Sequence, residues 1–339
     1  MSHFPYLFSP LEIGPLSVRN RVLISAHVPG FAENNKPGKQ YVAYHRNYAK
    51  NGVGLQITGG TPVHPSGLLS TGSDGLWNLD DSIIPGYQTL SDAVHAEGGR
   101  ILAQLAHSAG TVLINQPGRE SWSASAVRSE TTGNISHEMT RSEILEVIEA
   151  HAKGARRAIA GNMDGIEILG AFGYLPQAFL SPLTNHRKDD YGGSLENRLR
   201  FLIDLLESVR AVLGKDKVLG VRLPGDEFEP GGLDLEQMKI ICLRLADSGL
   251  INYINIIAHT NISHLGRSKH WAPTPTPHGT FVHLASAIRE VVDIPVFAVG
   301  RIVDPAHAED ILARGQADMV GMTRAHICDP QIQIGRAHV

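Results

Sequence analysis

The chain has 339 residues, 42% of them hydrophobic and 19% charged, with a formal net charge of −4. That balance excludes a disordered chain, and the lack of a long basic run excludes a protein that grips nucleic-acid phosphates. No apolar run approaches the ~20 residues of a membrane span, Met1–Pro10 has neither the basic start nor the apolar core of a secretion signal, and Cys242 and Cys328 alone build no disulfide framework, so the sequence reads as a cytoplasmic enzyme.

Strand-like and helix-like runs alternate from end to end, the signal of parallel α/β architecture. Eight strands are expected, at Arg21–Ser25, Leu55–Thr58, Arg100–Leu105, Gly165–Leu169, Val218–Leu223, Tyr253–Ile257, Pro295–Ala298 and Asp318–Gly321. Several are near-continuous apolar runs, as strands covered on both faces are. Ser82–Glu97 reads as a helix stopped by Gly98. Thr140-Arg-Ser-Glu143 is a capping box ahead of Ile144, Ile148, Ala152, Ala155 and Ile159 at helical spacing. Ser194 caps a helix striped by Leu195, Leu199, Leu202, Leu206 and Val209, and Asp234 starts another that Gly249 ends. Eight strands, no break in composition and no GxGxxG or P-loop turn favour one (β/α)8 TIM barrel over residues 1–339 rather than a doubly wound sheet. The long segments Pro117–Met139 and His259–His278 follow the third and sixth strands, so both are expected to form a rim or lid at the C-terminal face.

The last two strand ends carry the clearest chemistry. Val296-Phe-Ala-Val-Gly300-Arg301 is a buried strand running into Gly–Arg, and Asp318-Met-Val-Gly321-Met-Thr-Arg324 repeats the design. Glycine lets backbone approach a ligand with its N–H free, and arginine offers a planar fork suited to phosphate. In barrels the loops after strands seven and eight are the usual phosphate site. A surface turn with an unrelated arginine would explain one such ending; two on adjacent strands point to a phosphate cradle.

Beyond spacing, the chain resembles the Old Yellow Enzyme / NADH:flavin oxidoreductase family from about Tyr6 to Pro330. The resemblance rests on Phe8-Ser-Pro-Leu, Leu16-Ser-Val-Arg-Asn-Arg21, Gln104-Leu-Ala-His107, Asp164-Gly-Ile-Glu-Ile, Gly173-Tyr174-Leu, the long run from Phe179 to Arg198, Val221-Arg222-Leu and Ala298-Val-Gly-Arg301. Its endings are most similar to the trimethylamine dehydrogenase and 2,4-dienoyl-CoA reductase branch. The resemblance implies FMN as cofactor. Ala26 and His27 would then lie beneath the isoalloxazine, Gly60 would offer backbone beside it, and Gln104 would bond the pyrimidine edge. Arg222 would stand near N1 and the C2 carbonyl, where a cation stabilises reduced flavin. Gly300, Arg301, Gly321, Met322 and Arg324 would hold the phosphate. Read without the family, Gln104 is a satisfied interior amide and Arg222 half of a buried ion pair.

The substrate side departs from the family. The positions of its His/His or His/Asn pair after strand four hold Leu169 and Phe172, neither able to donate a hydrogen bond, so carbonyl activation there is not expected. Tyr174 matches a tyrosine that protonates carbon in ene-reductases, or else packs with its hydroxyl bonded. His259 and His264, after strand six, are acid–base candidates because histidine titrates near neutrality, although a chain with 17 histidines places some in loops by chance. His259, His264, His270 and His278 show no metal spacing. The run Lys188-Asp-Asp-Tyr-Gly-Gly and Glu196-Asn-Arg198 reads as structural.

The expected function is an FMN-dependent oxidoreductase transferring hydride through flavin N5. It acts either as an amine dehydrogenase or N-demethylase, or as an ene- or dienoyl-CoA reductase with NAD(P)H as donor. The alternative is a flavin- or phosphate-binding barrel without turnover. The expected partners are a small-molecule substrate, an electron carrier and a second copy of the chain. In the resembling branch a cysteine-rich 4Fe-4S segment and a second flavin domain with FAD or ADP follow the final Asp-Pro. Here only Cys328 lies nearby and Val339 is last. The sequence therefore predicts a shortened chain whose barrel lacks its final helix and binds FMN more weakly.

Overall fold

The computed structural model describes residues 4–68, 74–110, 120–130 and 133–335. The eight apolar runs become eight parallel strands: β1 (Val22–Ile24), β2 (Leu55–Ile57), β3 (Arg100–Ala106), β4 (Gly165–Leu169), β5 (Val218–Pro224), β6 (Tyr253–Ile257), β7 (Val296–Val299) and β8 (Met319–Gly321). Neighbours in sequence are neighbours in the sheet, β8 pairs with β1, and β3 pairs with β4, so the sheet closes into a (β/α)8 barrel. Among the strand residues only Arg100, at a strand start, is not buried. Both faces are covered, which is why the runs are apolar rather than alternating.

The helices between them are α1 (Lys39–Lys50), α2 (Ile84–Ala96), α3 (Arg141–Ala160), α4 (Leu195–Leu213), α5 (Leu235–Asp247), α6 (Val282–Arg289), α7 (Pro305–Ala313) and α8 (Thr323–Cys328). Their ends follow local chemistry. Thr140 and Glu143 close a reciprocal capping box on α3, Ser194 accepts from the Asn197 N–H on α4, and Asp234 and Gln237 cap α5. Gly98 and Gly249 end their helices in the left-handed region, at φ 74° and 67°.

Two expectations are corrected here. The final helix is present, as α8 and a further turn at Ile332–Gly335. It escapes a periodicity reading because α8 has six residues and buries only Ala325 and His326. His326 bonds Gln333, whose amide donates to the Asn51 carbonyl after α1 at 2.5 Å, so the closing segment is tied back to the first helix. Positions 117–119 and 131–132 of the segment Pro117–Met139 lie outside the described residues, and the described remainder forms no lid, since none of it lines the cavity described below. It packs sideways, where Arg187 donates to the Ala124 and Met139 carbonyls at 2.9 and 2.7 Å and is held by Asp189. The run around Lys188 thus acts as a clamp between the loops after β3 and β4.

Candidate active site

Side chains alternate along a strand, so Gln104, Glu167, Arg222 and Asn255 on β3 to β6 all turn into the barrel. Register places Gln104 beside Glu167 and Arg222 beside Asn255. Glu167 is fully buried. It accepts from Gln104 Nε2 at 2.6 Å, the Tyr253 hydroxyl at 3.0 Å and Asn255 Nδ2 at 3.0 Å. The Tyr253 ring fits because its neighbour across β5 is Gly220, where a Cβ would lie 2.1 Å from it. Burial raises the Glu167 pKa, while Arg222 and the three donors lower it. Every contact is a donation to the carboxyl, so it acts as an acceptor alone, as a carboxylate does.

This arrangement decides how Gln104 is presented. Its amide nitrogen is committed to Glu167, which leaves Oε1 toward Gly60, 3.2 Å from where a Cβ on that glycine would sit. Arg222 is buried beside it. Its Nη1 donates to the Ala26 carbonyl at 3.2 Å, its guanidinium lies 5.0 Å from the Phe172 ring centroid, and its Nε has no partner.

At the ends of β7 and β8 the backbone demands glycine. A side chain at Gly300, with φ 125°, would strike Phe281 at 2.7 Å, and one at Gly321 would strike Val299 at 2.6 Å. Arg301 is held in the left-handed region at φ 59°, a conformation that costs about 1 kcal/mol or more and gathers at functional sites. Its guanidinium donates to the Thr276 carbonyl, and Arg324 donates to the Ala272 carbonyl at 3.1 Å. Among the described residues neither arginine pairs with a carboxylate. Burial lowers the pKa of Arg324, and the charge of Arg301 lowers it further. Two adjacent guanidiniums without an acid among the described residues have the chemistry to suit an anion.

Residues of both clusters line one cavity of about 550 Å³, and among the described residues no acidic side chain lines it. The fold and this lining agree with what comparison shows. The NADH:flavin oxidoreductase / NADH oxidase family matches residues 6–336. The chain belongs to that family. Relatives in that family carry the names NADH oxidase and NADPH dehydrogenase. The chain is 37% identical to the N,N-dimethylglycine/sarcosine dehydrogenase of Chromohalobacter salexigens, over 97% of this chain and 48% of that protein. Its structure is similar to 2-naphthoyl-CoA reductase in complex with 2-naphthoyl-CoA, with a TM-score of 0.92 and 28% identity over 99% of this chain and 52% of the other. It is also similar to histamine dehydrogenase from Rhizobium sp. 4-9, with a TM-score of 0.88 and 26% identity over 99% of this chain and 48% of that one. The chain thus spans about half the length of these relatives.

For a member of this family the lining fits FMN. Gln104 Oε1 is an acceptor for an imide N–H and Arg222 a donor for the neighbouring carbonyl, while Arg301 and Arg324 are free of carboxylates for a phosphate. Ser25 Oγ, Arg222 Nε and Asn261 Oδ1 are buried without partners, and all three residues line this cavity. Buried polar atoms rarely stay unpaired, so a polar occupant is called for.

The cavity wall includes every site residue expected from the sequence except Met322, His259 and His264. Met322 is buried behind the wall, its N–H donating to the Leu23 carbonyl at 3.3 Å. His259 has φ 68°, and this turns its ring between Phe228 and Phe281, at 4.8 and 5.7 Å between centroids, beside a neighbouring cavity. Burial lowers its pKa to about 4. His264 is exposed at the start of the six-residue helix His264–Lys269. The cavity histidine of this loop is His270, tilted against the Phe172 ring at 4.9 Å between centroids. No periodicity or motif marks it. Glu167 also went unassigned, although a lone acid inside an otherwise apolar strand was a visible signal.

Proposed function

We propose that this barrel binds FMN and oxidises a small N-alkyl amine. FMN, when bound, supplies two-electron chemistry, its N5 exchanging a hydride equivalent with substrate carbon or with NAD(P)H. Gln104 and Arg222 would hold the pyrimidine edge, Gly60 would let the ring approach the β2 backbone, and Gly300, Arg301, Gly321 and Arg324 would hold the phosphate. The observation that carries the amine reading is the end of β4. Leu169 and Phe172 both line the cavity and neither can donate a hydrogen bond, so that edge cannot polarise a carbonyl. It can exclude water and pack an alkylated nitrogen. Similarity to a protein named N,N-dimethylglycine/sarcosine dehydrogenase supports the same direction.

Tyr174 favours a second reading, reduction of a conjugated alkene. It lines the cavity, and burial pushes its pKa up, so it stays a proton donor throughout the neutral range. The readings separate in one anaerobic experiment on FMN-loaded protein, recording flavin absorbance. Bleaching by N-methylated amines supports the first. Bleaching by NADPH with reoxidation by an enone, and none by amines, replaces it with the second. The reducing cytoplasm is the compartment we assign to this chemistry, with an electron carrier as acceptor.

A further inference from the structure

Just beyond β4 two consecutive residues adopt the left-handed region, Phe172 at φ 60° and Gly173 at φ 75°. The Tyr174 N–H donates to the Ala171 carbonyl at 3.1 Å. The four residues from Ala171 to Tyr174 thus carry the signature of a type I′ turn, with φ positive at both central positions. Glycine accepts that conformation freely and phenylalanine does not. The central peptide of the turn is clamped at both polar ends. Its carbonyl, from Phe172, accepts from Asn261 Nδ2 at 2.7 Å, and its N–H, from Gly173, donates to Gln177 Oε1 at 2.6 Å. The turn carries Phe172 and Tyr174 into the cavity wall and sets the Phe172 ring 5.0 Å from the Arg222 guanidinium.

Gln177 is held in turn by an acid outside the cavity. Its Nε2 donates to Glu227 Oε1 at 2.7 Å. Glu227, on the loop after β5, is fully buried and does not line the cavity. Its other oxygen accepts from Ser181 Oγ and from the Leu233 N–H, each at 2.8 Å. Burial foremost, with the Asp226 charge, raises its pKa, and the three donors lower it. All three contacts donate to the carboxyl, so it acts as an acceptor, as a carboxylate does. That leaves the Gln177 amide one orientation, nitrogen toward Glu227 and oxygen toward Gly173. Glu167 orients Gln104 by the same device, taking the amide nitrogen and freeing the oxygen.

We infer that Glu227 is a positioning residue: acting through Gln177, it locks the Phe172–Gly173 peptide and so holds Phe172 over Arg222. Unlocked, Phe172 relaxes out of the left-handed region and its ring leaves the guanidinium. Water then reaches Arg222 and screens its charge, and bound FMN loses part of the stabilisation that a cation near N1 gives the reduced ring. The lock stands on contacts within the chain, whereas its effect on the flavin rests on the FMN reading above.

The test breaks the relay and then rebuilds it with its polarity exchanged. Glu227→Met and Gln177→Met each remove one link. The pair Glu227→Gln with Gln177→Glu puts the carboxylate at 177, where it accepts from both the Gly173 N–H and the amide at 227. Two quantities are read on the FMN-loaded protein: hydrogen exchange at the Gly173 amide, by mass spectrometry, and the midpoint potential of the flavin in an anaerobic dye-referenced titration, which needs no substrate. Each methionine variant speeds exchange about tenfold, as expected for one lost hydrogen bond. Each also lowers the potential by about 15–30 mV, equivalent to a three- to tenfold weaker preference for reduced flavin in a two-electron couple. The exchanged pair recovers both. If Glu227→Met does not fold, Gln177→Met and the exchanged pair give the same two readings. Unchanged exchange at Gly173, faster exchange with an unchanged potential, or a folded exchanged pair that recovers neither quantity overturns the inference. A wild type that binds no FMN removes the proposed function instead, and exchange in the flavin-free variants still supports or overturns the lock.

Discussion

The floor of the cavity and its roof are built in opposite ways. The floor is made of strand residues, and Glu167 satisfies three of them at once: Gln104, Tyr253 and Asn255. The roof, the loop after β6, leaves the buried acceptor Asn261 Oδ1 without a partner. The floor thus shares one carboxylate among three side chains and presents one fixed edge, with Arg222 Nε and Asn255 Oδ1 left unpaired, whereas the roof has no such shared anchor. A rigid scaffold can hold a cofactor in a single pose while the loops above it are varied to change the substrate.

The harshest test of the contrast is Glu167→Ala. It leaves Gln104, Tyr253 and Asn255 each short of an acceptor, and Arg222 buried without its neighbouring negative charge. Removing one side of a buried charged network costs about 3–5 kcal/mol. Calorimetry should show the thermal midpoint falling by roughly 5–10 °C, with FMN binding lost alongside. His270→Ala in the roof, where the ring belongs to no shared carboxylate network, should move the midpoint far less. Equal losses in the two variants would remove the distinction between floor and roof.

The phosphate end gives the next largest effect. Arg301→Ala and Arg324→Ala should each weaken FMN binding about 10–100-fold, the range of one charged hydrogen bond. Stability should change little, because among the described residues each guanidinium bonds only a loop carbonyl, at Thr276 and Ala272. Fluorescence titration with riboflavin sharpens this. Riboflavin has no phosphate, so its affinity should be the same in both variants and the wild type. A parallel loss for riboflavin would mean that the arginines hold something other than phosphate.

The same contrast governs what was legible in the sequence. The strands and the helix caps were readable because each depends on a few adjacent residues: an apolar run, Thr140 with Glu143, Asp234 ahead of its helix. The Gly–Arg endings were readable because a strand end fixes where its next residues point. Resemblance added Gln104 and Arg222, but the carboxylate that orients Gln104 lies 63 positions away and is joined to it only by barrel register. The roof was misread for a different reason. His259, His264 and His270 are equivalent by composition and spacing, and backbone conformation alone sorts them. A left-handed φ at His259 turns its ring into the neighbouring cavity, and a short helix puts His264 on the surface while His270 is buried beneath Trp271. The loop after β3 was misplaced because its anchor, Arg187, belongs to the loop after β4.

The smallest predicted effect probes the floor at its most exact contact. Gly60 has no left-handed backbone requirement, so alanine is conformationally acceptable there. Its Cβ would stand 3.2 Å from Gln104 Oε1 and 3.3 Å from Leu169 Cδ2. Leucine can shift by a few tenths of an ångström. Gln104 cannot do so without lengthening its 2.6 Å bond to Glu167. The methyl group would also stand on the cavity wall beside the acceptor proposed for the flavin edge. Gly60→Ala should therefore leave the thermal midpoint of the flavin-free protein within about 2 °C and weaken FMN about three- to tenfold, a cost near 1 kcal/mol. Riboflavin should lose the same factor, in contrast to the arginine variants, since the contact is with the ring. If Gly60→Ala bound both flavins as tightly as the wild type, the ring would not lie against Gly60 and Gln104, and the assignment of the floor to the pyrimidine edge would fail while the phosphate cradle stood.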